Sequence, residues 1–261
     1  MKILYLGEIV SKPGRKAIKE YLPKLIKKHK PDFVFANGEN LTHNRGMNER
    51  HLQEILDIGV DYFTTGNHIW DNKTFFPKLE KEDTPVLRPA NYSDNLPGKS
   101  YIRITKDSNT VFLFNLSGRT FMDEKIKSPF LVADEILKNK QTNDVVVLDF
   151  HAETTSEKLA LSYYLQKKVQ LFIGSHTHVP TADEEVRGTG MAYITDIGMI
   201  GPKESVLGIK KEIIIKKFLT NSSIVHDIAG GDAIFNAILV NVDIKTKKST
   251  SIQRIQEIIP A

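Results

Sequence analysis

The 261-residue chain contains no cysteine. This absence excludes disulfide bonds, thiolate zinc sites and a cysteine nucleophile, and it is typical of proteins in a reducing compartment. Long apolar runs are also absent: the first, residues 3–10, is interrupted by Glu8 and is too short to span a bilayer or to form a signal peptide. We therefore expect a cytoplasmic protein with no membrane partner.

A strong excess of charge of one sign is also lacking. The 36 Lys and Arg residues nearly balance the 32 Asp and Glu residues, and the net charge is +4. The lysines are scattered, which is typical of solvated helix and strand faces, and no basic stripe with interleaved aromatic residues accompanies them. We expect a mild attraction for phosphate-bearing ligands but no stable binding of nucleic acid.

The order of apolar runs and helical periodicities predicts the fold class. Strands separated by helices are predicted at residues 2–6, 32–36, 60–64, 145–149 and 170–173, and the helices at 15–29, 48–58 (capped by Asn48) and 156–166. Further runs are typical of hairpin strands, at 101–104, 111–114, 192–195, 212–216 and 234–242. Because one open sheet does not accommodate so many strands, we predict an α/β fold with two facing mixed β-sheets flanked by helices. No linker or repeat divides the chain, which predicts a single domain over residues 1–261.

Short clusters of potential metal ligands follow the predicted strands: Glu8, Glu39-Asn40, Asn67-His68, His151 and His176-Thr177-His178. Four of the eight histidines fall in these clusters. Because the C-terminal ends of parallel strands meet at one edge of a sheet, side chains in the loops just beyond them are expected to face one cavity. Carboxylate, imidazole and amide ligands together suit first-row transition metals, and the sequence therefore predicts a two-metal hydrolytic site.

Each cluster also has a structural interpretation when it is taken alone. Asn67-His68 after a glycine is compatible with an ordinary turn, and His-x-His with two residues on one face of a strand. The ordered series therefore indicates the site, and no single member does. His29, His51 and His226 lie outside the series and are assigned no role.

The same residues resemble the motif series of the calcineurin-like metallophosphoesterases. The motifs are Gly38-Glu39-Asn40, Gly66-Asn67-His68, Asp149-Phe150-His151 and Gly174-Ser175-His176-Thr177-His178. A closer resemblance, over nearly the whole chain, is to the bacterial YmdB-type branch of that family, through segments such as 11–15, 66–71, 88–91 and 115–119. It implies a calcineurin-like metallophosphoesterase sandwich and a di-metal phosphodiesterase that hydrolyses cyclic nucleotides, above all 2′,3′-cyclic nucleoside monophosphates.

The resemblance also implies a role for each residue. One metal is held by Glu8, Asn40 and His178, the other by Asn67, His151 and His176, and the carboxylate of Glu39 bridges them. A metal-bound hydroxide attacks, and His68 is the general acid for the departing ribose oxygen. The cofactors are two divalent or mixed-valence transition metal ions, iron or manganese first, with zinc or cobalt as alternatives. His43 and Arg45 are candidate substrate contacts.

Gly7-Glu8 departs from the family pattern, in which the first motif reads Gly-Asp. Glutamate is one methylene longer, so we expect the site to survive with a change in metal affinity, metal preference or rate. Near the site, Asp149 is a candidate for orienting a neighbouring ligand. Phe121 and Tyr92 are candidates either for stacking on a nucleobase or for simple packing.

Three functions stay open at this point. The first is the cyclic-nucleotide phosphodiesterase, and the second is a phosphomonoesterase or protein phosphatase that uses the same site. The third is a regulatory nucleotide-sensing protein with little turnover, which only Glu8 motivates. The sequence leaves the oligomeric state open, including a homo-oligomer.

Overall fold

A computed structural model describes residues 1–122, 125–221, 223 and 227–261, so His226 lies outside the described residues. The strands are β1 Lys2–Ile9, β2 Phe33–Asn37, β3 Tyr62–Thr64, β4 Tyr101–Lys106, β5 Asn109–Ser117, β6 Val145–His151, β7 Leu171–Ser175, β8 Glu185–Val186, β9 Ala192–Ile194, β10 Met199–Pro202, β11 Ala233–Asp243 and β12 Lys248–Ile259. The α-helices are α1 Ser11–His29, α2 Glu49–Leu56, α3 Phe76–Leu79, α4 Pro129–Leu137, α5 Thr155–Leu165 and α6 Lys211–Thr220.

The strands form two mixed sheets of six strands each, in the orders β12-β11-β10-β1-β2-β3 and β4-β5-β6-β7-β9-β8. In the first sheet, β1 is parallel to β2 and β10 and antiparallel to β11. In the second, β5, β6, β7 and β9 are parallel, while β4 and β8 are antiparallel edges. The predicted α/β architecture of two mixed sheets is therefore confirmed.

Alternating side chains of the strands fill separate layers of the core. Ile3 and Tyr5 of β1 point between the sheets and belong to a buried cluster with Leu113 of β5. Leu4 and Leu6 point the other way and pack with α1. A third cluster lies between the second sheet and helices α4 and α5. Because β1 is buried on both faces, its sequence is a nearly continuous apolar run.

The predicted strand at residues 212–216 is wrong, since these residues belong to α6. The run of three isoleucines favours a strand by propensity alone. The segment instead leaves the first sheet between β10 and β11, where a helix satisfies its backbone hydrogen bonds internally. None of the ten residues of α6, all of them described, is buried.

Two predicted ligands lie on strands rather than in the loops beyond them. His151 is the last residue of β6, and Glu8 lies inside β1 at a bulge where the register with β2 shifts between Leu6 and Glu8. Gly7 occupies this bulge, and a Cβ there would lie 2.3 Å from the carbonyl oxygen of Gly198. The bulge re-aims Glu8 toward the edge of the sheet. Among the described residues, no helix is long and apolar enough to cross a membrane.

Candidate metal centre

The predicted ligands come together at one end of the two sheets. Glu8 is on β1, Glu39 and Asn40 follow β2, Asn67 opens a 3-10 turn after β3, His151 ends β6, and His176 and His178 follow β7. His176 and His178 have φ values of 100° and 65°, a left-handed conformation that is costly for a residue with a side chain. The structure thus brings all seven predicted ligands to one place.

Glu8, Asn40 and His178 form one contacting group. Glu8 Oε2 lies 2.9 Å from His178 Nε2, and Asn40 Nδ2 lies 3.1 Å from each of these atoms. His178 Nδ1 donates to the carbonyl oxygen of Leu207 at 3.1 Å. Because a carbonyl oxygen only accepts, Nδ1 carries a proton, and Nε2 is the nitrogen that faces the group.

His151, His176 and Glu39 form the second group. His151 Nε2 lies 3.0 Å from His176 Nδ1 and 3.5 Å from Glu39 Oε1. Glu39 also accepts hydrogen bonds from the backbone N–H groups of Gly66 and His68. Next to this group, Asn67 Oδ1 is buried and has no hydrogen-bond partner among the described residues.

A buried hydrogen-bond chain fixes the ring of His151. Its Nδ1 lies 3.1 Å from Ser175 Oγ, and Ser175 donates to Asp149 Oδ1 at 2.7 Å. Asp149 accepts three further hydrogen bonds, from Tyr5 Oη at 3.0 Å, from Asn37 Nδ2 at 2.9 Å and from Thr64 Oγ1. The chain holds the proton on Nδ1 and leaves Nε2 free to act as a ligand. Asp149 therefore has the orienting position expected from the sequence, whereas Ser175, Tyr5 and Asn37 were not expected.

Burial shapes the electrostatics of both groups. Burial raises the pKa of Glu39 well above its usual range, and the nearby Glu8 raises it further. Burial also opposes ionisation of Glu8, but its charged neighbours, His178 above all, outweigh burial and lower the pKa of Glu8. Burial lowers the pKa of His151 well below its usual range, so that imidazole is neutral. Two adjacent buried carboxylates beside a neutral imidazole are costly without a cation.

The donor set fits a two-metal centre in its chemistry. Within the described part of the chain, no group of three or more His, Cys, Asp or Glu side chains is arranged to hold an ion as it stands, and the donor atoms are hydrogen-bonded to one another instead. The unpartnered Oδ1 of Asn67 and the neutral Nε2 of His151 are nevertheless ready-made ligand atoms. Gly66 packs directly on the imidazole of His151, where a Cβ would lie 2.2 Å from Cδ2. The seven-residue ligand set therefore stays a prediction that the donor chemistry supports.

His68 and Arg45 lie at the rim of the same site. His68 Nδ1 is 2.8 Å from Asp71 Oδ2, and Arg45 Nη1 is 3.6 Å from the same oxygen. His68, Arg45, Asn40, His176 and His178 line a cavity of about 250 Å³, which we call the site cavity. Asp71 was not among the predicted site residues, although its position three residues after His68 within a helical turn is a signal for such a pair.

His43 is not part of the site cavity. It has a left-handed φ of 50°, as does Asn44 at 62°, and the loop carries its side chain to a different cavity of about 650 Å³. That cavity is also lined by Arg15, Arg50 and His51. Of the two predicted substrate contacts, only Arg45 therefore borders the predicted ligands.

Comparison with known proteins identifies the family. A family model described as YmdB-like protein matches residues 4–255. The chain belongs to the YmdB-like family. It is 41% identical over 257 residues to the 2′,3′-cyclic-nucleotide 2′-phosphodiesterase of Bacillus subtilis (strain 168), an alignment that covers 98% of this chain and 96% of the relative.

Solved structures agree with this assignment of the YmdB-like chain. A structure described as a novel phosphatase of Mycoplasma pneumoniae superposes with a TM-score of 0.94 at 33% identity and covers 100% of this chain and 94% of its own. A candidate 5′-nucleotidase of Staphylococcus aureus superposes with a TM-score of 0.59 at 14% identity, over 100% of this chain and 54% of that one. The second likeness concerns the fold alone, and it agrees with the α/β architecture of two mixed sheets.

Proposed function

We propose that this YmdB-like chain is a metal-dependent phosphodiesterase that hydrolyses 2′,3′-cyclic nucleoside monophosphates. The observation that carries the proposal is the convergence of two carboxylates, two amides and three imidazoles on one partly buried site, next to a cavity lined by His68 and Arg45. The similarity to the phosphodiesterase of B. subtilis along nearly the full length of both chains supports the choice of substrate.

The proposed ligand set divides as the contacts do. Glu8, Asn40 and His178 would hold one ion, His151, His176 and Asn67 the other, and Glu39 would lie between them. Iron or manganese is our first choice, and zinc or cobalt are the alternatives for such nitrogen and oxygen ligands. When bound, the ions supply a water molecule of lowered pKa and positive charge for the phosphoryl oxygens.

The rim residues supply the proton and bind the anion. The carboxylate of Asp71 accepts a hydrogen bond from His68 Nδ1 and orients the imidazole, whose Nε2–H then protonates the ribose oxygen that leaves the phosphorus. The guanidinium of Arg45, which lines the site cavity and is more than half exposed, can contact a non-bridging phosphate oxygen. Neither role requires the side chain to leave its position beside Asp71.

A phosphomonoesterase is the second candidate, since the Mycoplasma pneumoniae relative is described as a phosphatase. Relative turnover of 2′,3′-cyclic AMP and 3′-AMP distinguishes the two enzymes. The regulatory alternative rested on Glu8 alone. The bulge at Gly7 accommodates the longer side chain, and Glu8 reaches both His178 and Asn40, which argues for a working centre.

The test is hydrolysis of 2′,3′-cyclic AMP by protein of known metal content. We expect about two metal ions per chain, with turnover that disappears in Glu39→Gln because the shared carboxylate is lost. Glu204→Gln, a change at an exposed glutamate paired with Lys211, is the matched control and should keep full activity. Bound metal without turnover of either ester would refute the enzyme and favour the nucleotide-sensing protein.

A further inference from the structure

A second cavity adjoins the site cavity and is walled by aromatic rings. Its volume is about 490 Å³, within the range of small-molecule sites. It is lined by Trp70, Tyr92, Phe121, Met122, Asn67, Asp71 and His176, and we call it the aromatic cleft. Asn67 and His176 also belong to the predicted ligand set, so the cleft opens beside the metal centre.

One wall of the cleft is a pair of packed rings. The centroids of Trp70 and Tyr92 are 5.5 Å apart with an interplanar angle of 54°, and Tyr92 is buried. Trp70 Nε1 is buried and has no hydrogen-bond partner among the described residues. Buried N–H groups are almost always paired, so this donor is available to an acceptor on a ligand in the cleft.

Phe121, the third aromatic residue of the cleft, is not packed into the core of the protein. Its side chain is 86% exposed, and its φ of 60° is a left-handed conformation that is strained for a bulky residue. Exposure of a phenyl ring and backbone strain are both unfavourable, and neither contributes to the core of the protein. Such strained positions cluster at ligand sites.

The polar residues relate the cleft to the reaction. Asp71 lines the cleft and also holds His68, the proposed acid, while His176 lines both cavities. A ligand whose phosphate occupies the site cavity therefore extends its next group into the aromatic cleft. For a 2′,3′-cyclic nucleotide, that group is the base, because the phosphate is attached to the ribose that carries it.

We propose that the aromatic cleft is the nucleobase subsite, in which the base stacks on Phe121 and a ring nitrogen or carbonyl oxygen of the base accepts from Trp70 Nε1. The inference rests on the proposed function and deepens it. In this proposal the enzyme recognises the flat aromatic base of its substrate in addition to the cyclic phosphate. Stacking tolerates every base, so the enzyme is expected to accept 2′,3′-cyclic nucleotides with any of the four bases.

The chain contains one tryptophan, so its intrinsic fluorescence reports on the cleft directly. We expect adenosine, which has no phosphate, to quench the fluorescence of the metal-loaded protein, and ribose 5-phosphate to leave it unchanged. Phe121→Ala should weaken adenosine binding about 5- to 150-fold, which corresponds to about 1–3 kcal/mol of stacking. Phe121→Tyr should retain it. Phe218→Ala on α6 removes a ring of similar exposure, 81%, and is the matched control that should bind as the wild type does.

Kinetics provide the second arm of the experiment. Phe121→Ala should raise KM for 2′,3′-cyclic AMP by a similar factor and leave turnover of glycerol 1,2-cyclic phosphate, which has no base, unchanged. Equal adenosine binding by the wild type and Phe121→Ala, or no quenching at all, overturns the subsite even if the cyclic diester is hydrolysed. If quenching depends on Phe121 but the protein has no diesterase activity, the subsite is supported and the proposed diesterase function is refuted.

Discussion

The buried ion pair behind the candidate metal centre carries a prediction about stability. Lys158 Nζ of α5 lies 2.8 Å from Asp196 Oδ2, and the two side chains are 0% and 1% exposed. Asp196 also accepts hydrogen bonds from the backbone N–H groups of Thr177 and Gly198, at 3.1 and 2.8 Å. Thr177 lies between two predicted ligands, so the pair supports the loop that carries them.

Lys158→Met keeps most of the side-chain volume and removes the charge. Asp196 is then a buried carboxylate without its cation, and loss of one partner of a buried pair costs about 3–5 kcal/mol. For a chain of this size, about 2–4 °C of melting temperature is lost per kcal/mol, so we expect a decrease of about 6–20 °C. The double variant Lys158→Met/Asp196→Asn should recover part of this loss, because no unpaired charge remains buried.

Urea and thermal unfolding of the metal-loaded protein measure these changes. The control is Lys16→Met, which removes an exposed ion pair with Glu20 whose atoms are 3.6 Å apart. Such exposed pairs contribute about 0–1 kcal/mol, so the control should unfold almost as the wild type does. If Lys158→Met unfolds together with the control, the buried pair does not stabilise the fold and the reasoning fails.

Three further predictions concern the site and the acid stability of the fold. Ser175→Ala interrupts the chain from His151 to Asp149 and should weaken metal binding about 10- to 100-fold in calorimetric titration; unchanged affinity would contradict the orienting role. His68→Ala should lower kcat for 2′,3′-cyclic AMP about 10²- to 10⁴-fold with unchanged metal content, and metal loss would instead make His68 a ligand. Burial would raise the pKa of Asp144, but hydrogen bonds from Arg103 hold it below its usual range. Because this folded-state pKa is depressed, the pair stabilises the protein above the unfolded pKa of about 3.9, and the contribution is lost as the pH falls through the folded pKa. Arg103→Met should therefore lower the free energy of unfolding at neutral pH and converge with the wild type in acid; an equal deficit at both pH values would contradict the linkage.

The approximate positions of the predicted ligands could be predicted from the order of strands along the chain, because the C-terminal ends of parallel strands meet at one edge of a sheet. That rule placed Glu39, Asn67 and His176 near one another despite long separations in sequence. It missed the bulge that sets Glu8 inside β1, since a bulge depends on what packs beside the glycine.

Other features depend on spatial neighbours that a single sequence does not reveal. Ser175 lies one residue before a predicted ligand, yet its role depends on Asp149 from another strand. The isoleucine run of α6 has the composition of a strand, but it lies outside the first sheet and forms a helix there. His43 was grouped with Arg45 by proximity in the chain, and two left-handed residues turn it toward a different cavity.

The pairing of β1 with β10 and β11 has a consequence for the order of events during synthesis. Strand β1 leaves the ribosome well before its partners at residues 199–202 and 233–243, so its sheet is incomplete until they follow. The orientation of the imidazole of His178, a predicted ligand, in turn depends on a hydrogen bond to the carbonyl oxygen of Leu207. Until most of the chain has been translated, β1 exposes an apolar edge to other nascent chains, and the centre is unable to capture its metals. Metal loading is therefore expected to be a post-translational event, and C-terminally truncated chains to aggregate rather than persist as inactive monomers.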